Sequence, residues 1–154
     1  MKNSFYADLV EKLTGTPFAG DEEATFPIGE DLSLTMALEE GEMIGLYCRV
    51  FQVEGEVPGW VMQEISLANY GCAGTRGATL GLHPGTGGVL LSRILVFAAT
   101  ASAEALMAQT VIFIETAALW QRRLMRRSGE GWDQANQASQ SRPIVHDRFS
   151  SLRA

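Results

Sequence analysis

The sequence predicts an α+β protein with an antiparallel twisted sheet of about five strands and three helices. Two segments alternate apolar and polar residues, as half-buried strands do, and only four residues separate them. Three other segments repeat apolar residues at helical spacing. Grouped strands with hairpin-length links form an antiparallel sheet rather than a wound parallel one. The predicted order of elements is α-β-β-β-α-β-β-α.

The N-terminal half contributes one helix and three strands to this order. Asn3 or Ser4 can cap the first helix, which is predicted to end near Thr14, before Gly15. An acidic loop follows. The three predicted strands cover residues 25–29, 31–38 and 43–53. The polar segment EEGE is the expected hairpin turn between the second and third strands.

The C-terminal half is predicted to contain a short helix, two strands and a long helix. Pro58 suits the entry to the short helix, and Thr100 or Ser102 can cap the long one. The predicted elements cover residues 60–71, 78–82, 87–97 and about 102–127. From Ser128 the sequence is rich in polar residues, and its apolar residues show no regular spacing. We therefore predict a domain over residues 1–127 and a flexible polar tail over 128–154.

Residues 71–88, GCAGTRGATLGLHPGTGG, contain seven glycines and raise the question of phosphate binding. A P-loop needs a lysine, and the sequence has none after Lys12. A dinucleotide fingerprint opens a helix, whereas Gly88 precedes a predicted strand. We interpret Gly71 as a helix stop and HPGTGG as a hairpin turn, and Gly81 as a place for a bulge or for close approach of another backbone.

Composition and charge restrict the function further. The first 100 residues hold thirteen acidic and five basic residues, which argues against nucleic acid as the main partner. Arg93, Gln109 and Glu115 interrupt the longest apolar runs, so no membrane span is expected. The N-terminus lacks the pattern of a secretory signal. With only two cysteines, Cys48 and Cys72, the sequence indicates a reducing cytoplasm.

The sequence predicts neither a catalytic site nor a metal site nor a cofactor. Its two histidines, His83 and His146, are far apart, and no cysteine and histidine spacing fits a zinc site. His83 precedes a proline and is interpreted as a turn residue. The acidic clusters of residues 21–23 and 39–42 lack the spacing of a calcium loop. We therefore expect a protein that is not an enzyme.

The order of elements and several motifs resemble the class I type III secretion chaperones, the Tir chaperone (CesT) family. The similar segments are LANYGCAGTRGATLGLHPGTGGVLLSRILV and FIETAALWQRRL. The matching residues are Leu67, Asn69, Leu80, Gly81, Leu82, Val89, Leu91, Leu95, Phe113, Ala117 and Trp120. Phe97 and Ala98 depart from the Leu-Pro pair common in the family. The resemblance covers about residues 4–127.

The resemblance implies a cytoplasmic homodimer that binds the extended N-terminal region of an effector protein. It implies that the effector stays soluble and secretion-competent and passes to the export ATPase. The implied effector-binding groove comprises Phe5, Leu9, Leu13, Leu32, Leu34 and Met36. The implied dimer interface lies on the second helix and the following strand, at Val61, Ile65, Leu80 and Leu82.

Two alternatives stay open at this point. The first is a regulator or adaptor of the same fold that binds a protein partner outside secretion. The second is a small enzyme or nucleotide-binding protein that uses the glycine stretch, in which case changes at Gly85 or Gly87 would abolish nucleotide binding.

Overall fold

The computed structural model describes residues 2–15, 17, 23–39, 43–72, 74–96 and 102–140, with side chains described between residues 6 and 129. The predicted order of elements is confirmed, with one 3-10 turn, Tyr70–Cys72, after the second helix. The helices and strands are α1 Lys2–Thr14, β1 Glu23–Ile28, β2 Leu32–Glu39, β3 Met43–Gln52, α2 Gly59–Asn69, β4 Thr79–Leu82, β5 Gly88–Val96 and α3 Ala103–Gln140.

The five strands form one antiparallel sheet in the order β1-β2-β3-β5-β4. β3 is central and pairs with β2 on one side and β5 on the other, with a register shift between Arg49 and Phe51. β1 and β4 are the two edge strands. The sheet therefore has two edges, one formed by β1 and the other by the shorter strand β4.

Helices cover one face of the sheet, and the period-two pattern identifies that face. Leu34, Cys48 and Leu91 lie next to each other across β2, β3 and β5, and all three are buried. α3 packs on β3 and β5, and α1 packs against α3. The Tyr6 hydroxyl of α1 donates a hydrogen bond of 2.9 Å to the carbonyl of Met36, which anchors α1 over β2.

The opposite face of the sheet is not covered by a helix in the part of the chain that the structure describes. Ile94 and Val96 of β5 point to this face and are 46% and 63% exposed. Tyr47 also lies there and donates a hydrogen bond of 2.7 Å to Glu39. This hydrogen bond, and to a lesser degree burial, raises the pKa of Tyr47 to about 12, so the phenol stays protonated at neutral pH.

α3 confirms the predicted apolar stripe. Leu106, Phe113, Trp120 and Leu124 are buried. The Ser102 side chain accepts a hydrogen bond of 3.2 Å from the amide of Ala105, which is an N-cap at one of the two predicted positions. Ala103–Gly129 is also long and apolar enough to cross a membrane, although no span was expected. About a third of its most apolar stretch is buried within the protein.

Three helix boundaries differ from the prediction. α1 begins at Lys2, so Asn3 and Ser4 lie inside its first turn rather than before it. α2 ends at Asn69 instead of near Gly71. α3 continues to Gln140, so its predicted end at residue 127 was wrong and part of the predicted tail is helical. Isolated glycines weaken a helix by about 1 kcal/mol but do not end it, and Gly129 is of this kind. The division into domain and tail stays a prediction, and residues 141–154 lie outside the described residues.

The glycine stretch serves three structural purposes. Gly71 adopts a φ of 67° directly after α2, as a helix stop does. The carbonyl of Gly74 accepts a hydrogen bond of 2.9 Å from the Trp120 indole, which fixes this loop to α3. Gly87 closes the β4–β5 hairpin with a φ of 70°. At Gly81 the register continues without a bulge, and a Cβ would have open space around it, so neither expected role of Gly81 is present.

We expect Gly87→Ala to lower the free energy of unfolding by about 1 to 3 kcal/mol. A Cβ there would lie 2.6 Å from the carbonyl oxygen of Val53, in addition to the cost of the positive φ. Gly85→Ala is the matched control, because its Cβ would meet only the His83 ring, at 3.4 Å. Urea unfolding of both variants measures the difference, and equal stability would contradict the assigned turn geometry.

The two thiols should react very differently. Cys48 is buried, and its burial raises its pKa to about 11, whereas Cys72 is exposed. At pH 8 only about one Cys48 in a thousand would be a thiolate. We expect Ellman's reagent to modify one thiol quickly in the folded protein and the second only in denaturant. Cys72→Ser should remove the fast reaction, and a fast reaction that persists in this variant would contradict the burial of Cys48.

Candidate interaction surfaces

The edge of β4 is occupied by a side chain. The Asn69 amide donates a hydrogen bond of 2.7 Å to the carbonyl of Leu80, and its oxygen accepts one of 2.9 Å from the amide of Leu80. The Leu80 backbone groups therefore point away from β5, towards α2. The Asn69 carboxamide occupies the position that the backbone of a sixth strand would take, with the same pair of donor and acceptor.

The direction of the Leu80 groups determines which backbone groups face outward at the other edge. In an antiparallel sheet, the N–H and C=O of one residue point to the same neighbour, and the side alternates along the strand. The register carries this alternation from Leu80 through Leu91, Cys48 and Leu34 to Phe26, whose backbone groups therefore point to β2. The outward-facing residues of β1 are therefore Glu23, Thr25 and Pro27. Pro27 fits this result because it has no N–H to give to β2.

The outward side of β1, which we call the β1 edge, combines free backbone groups with apolar side chains. In the part of the chain that the structure describes, no group bonds to the outward backbone of Glu23 or Thr25. Ala24, Phe26 and Ile28 lie on the helix-covered face and are only partly buried. An added strand would thus find hydrogen-bonding groups and an apolar row at the same edge.

Most of the predicted groove residues belong to the core. Leu9, Leu34 and Met36 are completely buried, and Leu32 is 6% exposed. Within one chain these residues are part of the core, and their place in an effector-binding groove stays a prediction. Leu13 is partly buried and packs against the core, so it alone of the described members is accessible. The side chain of Phe5 lies outside the described residues.

The predicted dimer residues are also largely internal to one chain. Val61 and Leu80 are buried and Ile65 is 8% exposed, so they offer little surface in one chain, and their place at a dimer interface stays a prediction. Val61 and Ile65 lie on the side of α2 that packs on the rest of the protein, and Leu80 lies on β4, where Leu82 is partly exposed. The opposite side of α2 carries Met62 and Leu67, and Tyr70 follows as the C-cap; the three side chains are 47%, 57% and 87% exposed. We call these three residues the α2 outer face.

A charged cluster fixes α2 against α3. Glu64 is buried on α2 and accepts a hydrogen bond of 2.7 Å from the guanidinium of Arg123, with Arg127 3.9 Å away. The Arg123 guanidinium also lies 4.9 Å from the centre of the Trp120 ring. Buried carboxylates need such partners because the loss of water is otherwise costly. The cluster therefore has a sufficient structural explanation.

The uncovered face of the sheet contains a shallow pocket of about 330 Å³. It lies beside the β4–β5 turn, and its lining includes Asp31, Tyr47, Arg49 and His83. His83 is in this turn, as predicted, and its Nδ1 accepts a hydrogen bond of 3.2 Å from the amide of Gly85. Within the described ranges, no group of three histidine, cysteine, aspartate or glutamate side chains could hold a metal ion.

Several solved structures that contain secretion chaperones are similar to this chain. No protein-family model and no curated protein matches the sequence. The structure of the ExsC-ExsE complex matches with a TM-score of 0.63 and 23% identity over 78% of this chain and 90% of the other. The HopA1-SchA chaperone-effector complex matches with a TM-score of 0.59 and 19% identity over 79% and 97%.

A third match is the Yersinia pestis type III secretion chaperone SycH, solved in complex with a stable fragment of YscM2. It has a TM-score of 0.57 and 13% identity over 78% of this chain and 99% of the other. The chain has a type III secretion chaperone-like α+β fold. The expected fold is thus confirmed, while the Tir chaperone subfamily stays a prediction.

Neither the β1 edge nor the α2 outer face was predicted from the sequence. Alternation identifies the apolar side of β1 and β2, but it does not distinguish an edge strand from a central one. Asn69 appeared only as a residue of the resemblance. Pro27 was the available signal for β1, because a proline inside a strand indicates an edge.

Proposed function

We propose that this protein is a type III secretion chaperone that binds the extended N-terminal region of one or more effector proteins. The observation that carries the proposal is the β1 edge, with its free backbone groups and half-buried apolar row, in a chain with a chaperone-like fold. In this proposal the protein acts in the bacterial cytoplasm without enzymatic activity, keeps the effector soluble and secretion-competent, and delivers it to the export ATPase.

An effector segment would bind at the β1 edge as a sixth strand. Its backbone would pair with Glu23 and Thr25, and alternate side chains would pack beside Phe26 and Ile28. Leu13 on α1 is the accessible member of the groove implied by the resemblance and could extend this contact. Because the segment is held in an extended form, its apolar residues would be shielded from other chains.

We also propose that the protein forms a homodimer through the α2 outer face. Three large apolar side chains on α2 and its C-cap, each more than 40% exposed, form a surface that a second copy would cover. Leu82, the partly exposed member of the interface implied by the resemblance, lies on β4, against which α2 packs. A two-fold axis would bring identical α2 helices together.

Thr25→Pro should weaken effector binding by about tenfold, because it removes one outward N–H and places a ring against the added strand. Pairing with β2 should persist, since Thr25 N–H does not point to β2. The client is first identified by mass spectrometry of proteins that co-purify from the native bacterium. Calorimetry with the N-terminal region of that client then measures the affinity for each variant.

Thr25→Val is the matched control for this experiment. It keeps the outward N–H and removes only the hydroxyl contact with Thr35, which is 2.8 Å long. Wild-type affinity is expected for this control. Equal affinity of Thr25→Pro and Thr25→Val would contradict strand addition at β1, and the absence of any secreted client would contradict the chaperone proposal.

Tyr70→Glu should shift the dimer towards monomer without unfolding the protein. Tyr70 is 87% exposed in one chain, so the substitution adds a desolvation penalty only where a second copy covers it. Ala108→Glu adds a charge at an exposed position of α3, away from the α2 outer face, and serves as control. Ile65→Asp is less informative, because it would also disrupt the protomer. Light scattering over a dilution series measures the mass, and identical dimer masses would contradict this interface.

A further inference from the structure

We infer that Asn69 closes the β4 edge to strand addition and thereby leaves β1 as the edge at which a partner strand binds. The nature of the partner, an extended peptide, rests on the proposed function. The role of Asn69 does not depend on it. It is carried by the two hydrogen bonds between the Asn69 side chain and the Leu80 backbone.

β4 is short, so occupying the backbone groups of one residue closes most of its edge. The strand has four residues, and by the alternation only Leu80 and Leu82 face outward. Just before the strand, the amide of Ala78 bonds to the carbonyl of Thr75 at 3.0 Å. A strand added to β4 would therefore have to displace Asn69 to obtain both groups of Leu80.

The fold holds Asn69 in this position. It is the last residue of α2, next to the buried Ala68 and before the left-handed turn at Gly71. α2 packs against β4, which keeps the last residue of the helix beside Leu80. An exposed strand edge is a template for unwanted pairing, and proteins close such edges with side chains, prolines or covering elements. Asn69 performs this task at one edge only.

β1 presents the opposite situation. Thr25 also directs its N–H and C=O outward, but within the described ranges no side chain bonds to them. The two edges thus offer the same chemistry with different accessibility. A peptide that can pair with either edge should select β1 in the wild-type protein and reach β4 only when Asn69 is changed.

Amide hydrogen exchange measured by NMR on the full chain tests this inference. Leu80 should exchange slowly in the wild type and at least about tenfold faster in Asn69→Ala, because one hydrogen bond is lost. Asn69→Asp is the matched variant. It keeps an acceptor for the Leu80 amide and loses the donor to the Leu80 carbonyl, so Leu80 should remain within about threefold of the wild-type rate. Unchanged shifts of core residues show that each variant is folded.

Protection of backbone amides by a synthetic peptide then shows to which edge strand the peptide binds. The probe is a decapeptide of alternating valine and threonine with a lysine at each end. We expect it to protect Thr25 but not Leu80 in the wild type, and both residues in Asn69→Ala. Protection of Leu80 but not Thr25 in Asn69→Ala would support closure by Asn69 while contradicting the β1 route of the proposed function.

Three results would overturn the inference. The first is an unchanged exchange rate of Leu80 in Asn69→Ala. The second is protection of Leu80 by the peptide in the wild-type protein. The third is a peptide that leaves Leu80 unprotected in Asn69→Ala, because the freed edge would then not accept a strand. The affinity of Thr25→Pro for the identified client tests the proposed function separately.

Discussion

The packing of α3 across β3 and β5 is the contact on which the rest of the structure depends. It buries the apolar side of the two inner strands, and it positions α1, which contacts the sheet beside α3. The same helix holds the glycine stretch through Trp120 and holds α2 through Arg123. Because one long helix organises these elements, the core lies on a single side of the sheet.

This one-sided construction explains where surfaces for partners remain. Helices occupy one face, so Ile94 and Val96 stay exposed on the other. The sheet has two ends, of which α2 and Asn69 close one. Among the described residues, the uncovered face, the β1 edge and the outer side of α2 are open, and α3 also exposes Val111, Leu119 and Met125. Each exposes apolar side chains that a partner could bury.

Periodicity predicted the sheet, the helices and the turn in the glycine stretch because these depend on local patterns. The alternation of Leu32, Leu34 and Met36 is visible in the sequence and correctly marks a buried face. The surface was not predictable in the same way. An apolar residue such as Leu9 or Val61 has the same pattern whether it packs inside the chain or against a partner. Only the strand order, a long-range property, shows that β1 is an edge.

Pro27 limits how strongly backbone pairing alone can hold a strand at β1. Glu23 and Thr25 offer two outward groups each and Pro27 only its carbonyl, which makes five. At about 1 kcal/mol for each hydrogen bond, this ladder contributes about 5 kcal/mol, a gain that the cost of association, about 4 kcal/mol or more, offsets. Tight binding would thus depend on side chains, so sequence differences among clients would set their residence times. A short ladder also lets a bound segment be released one end at a time.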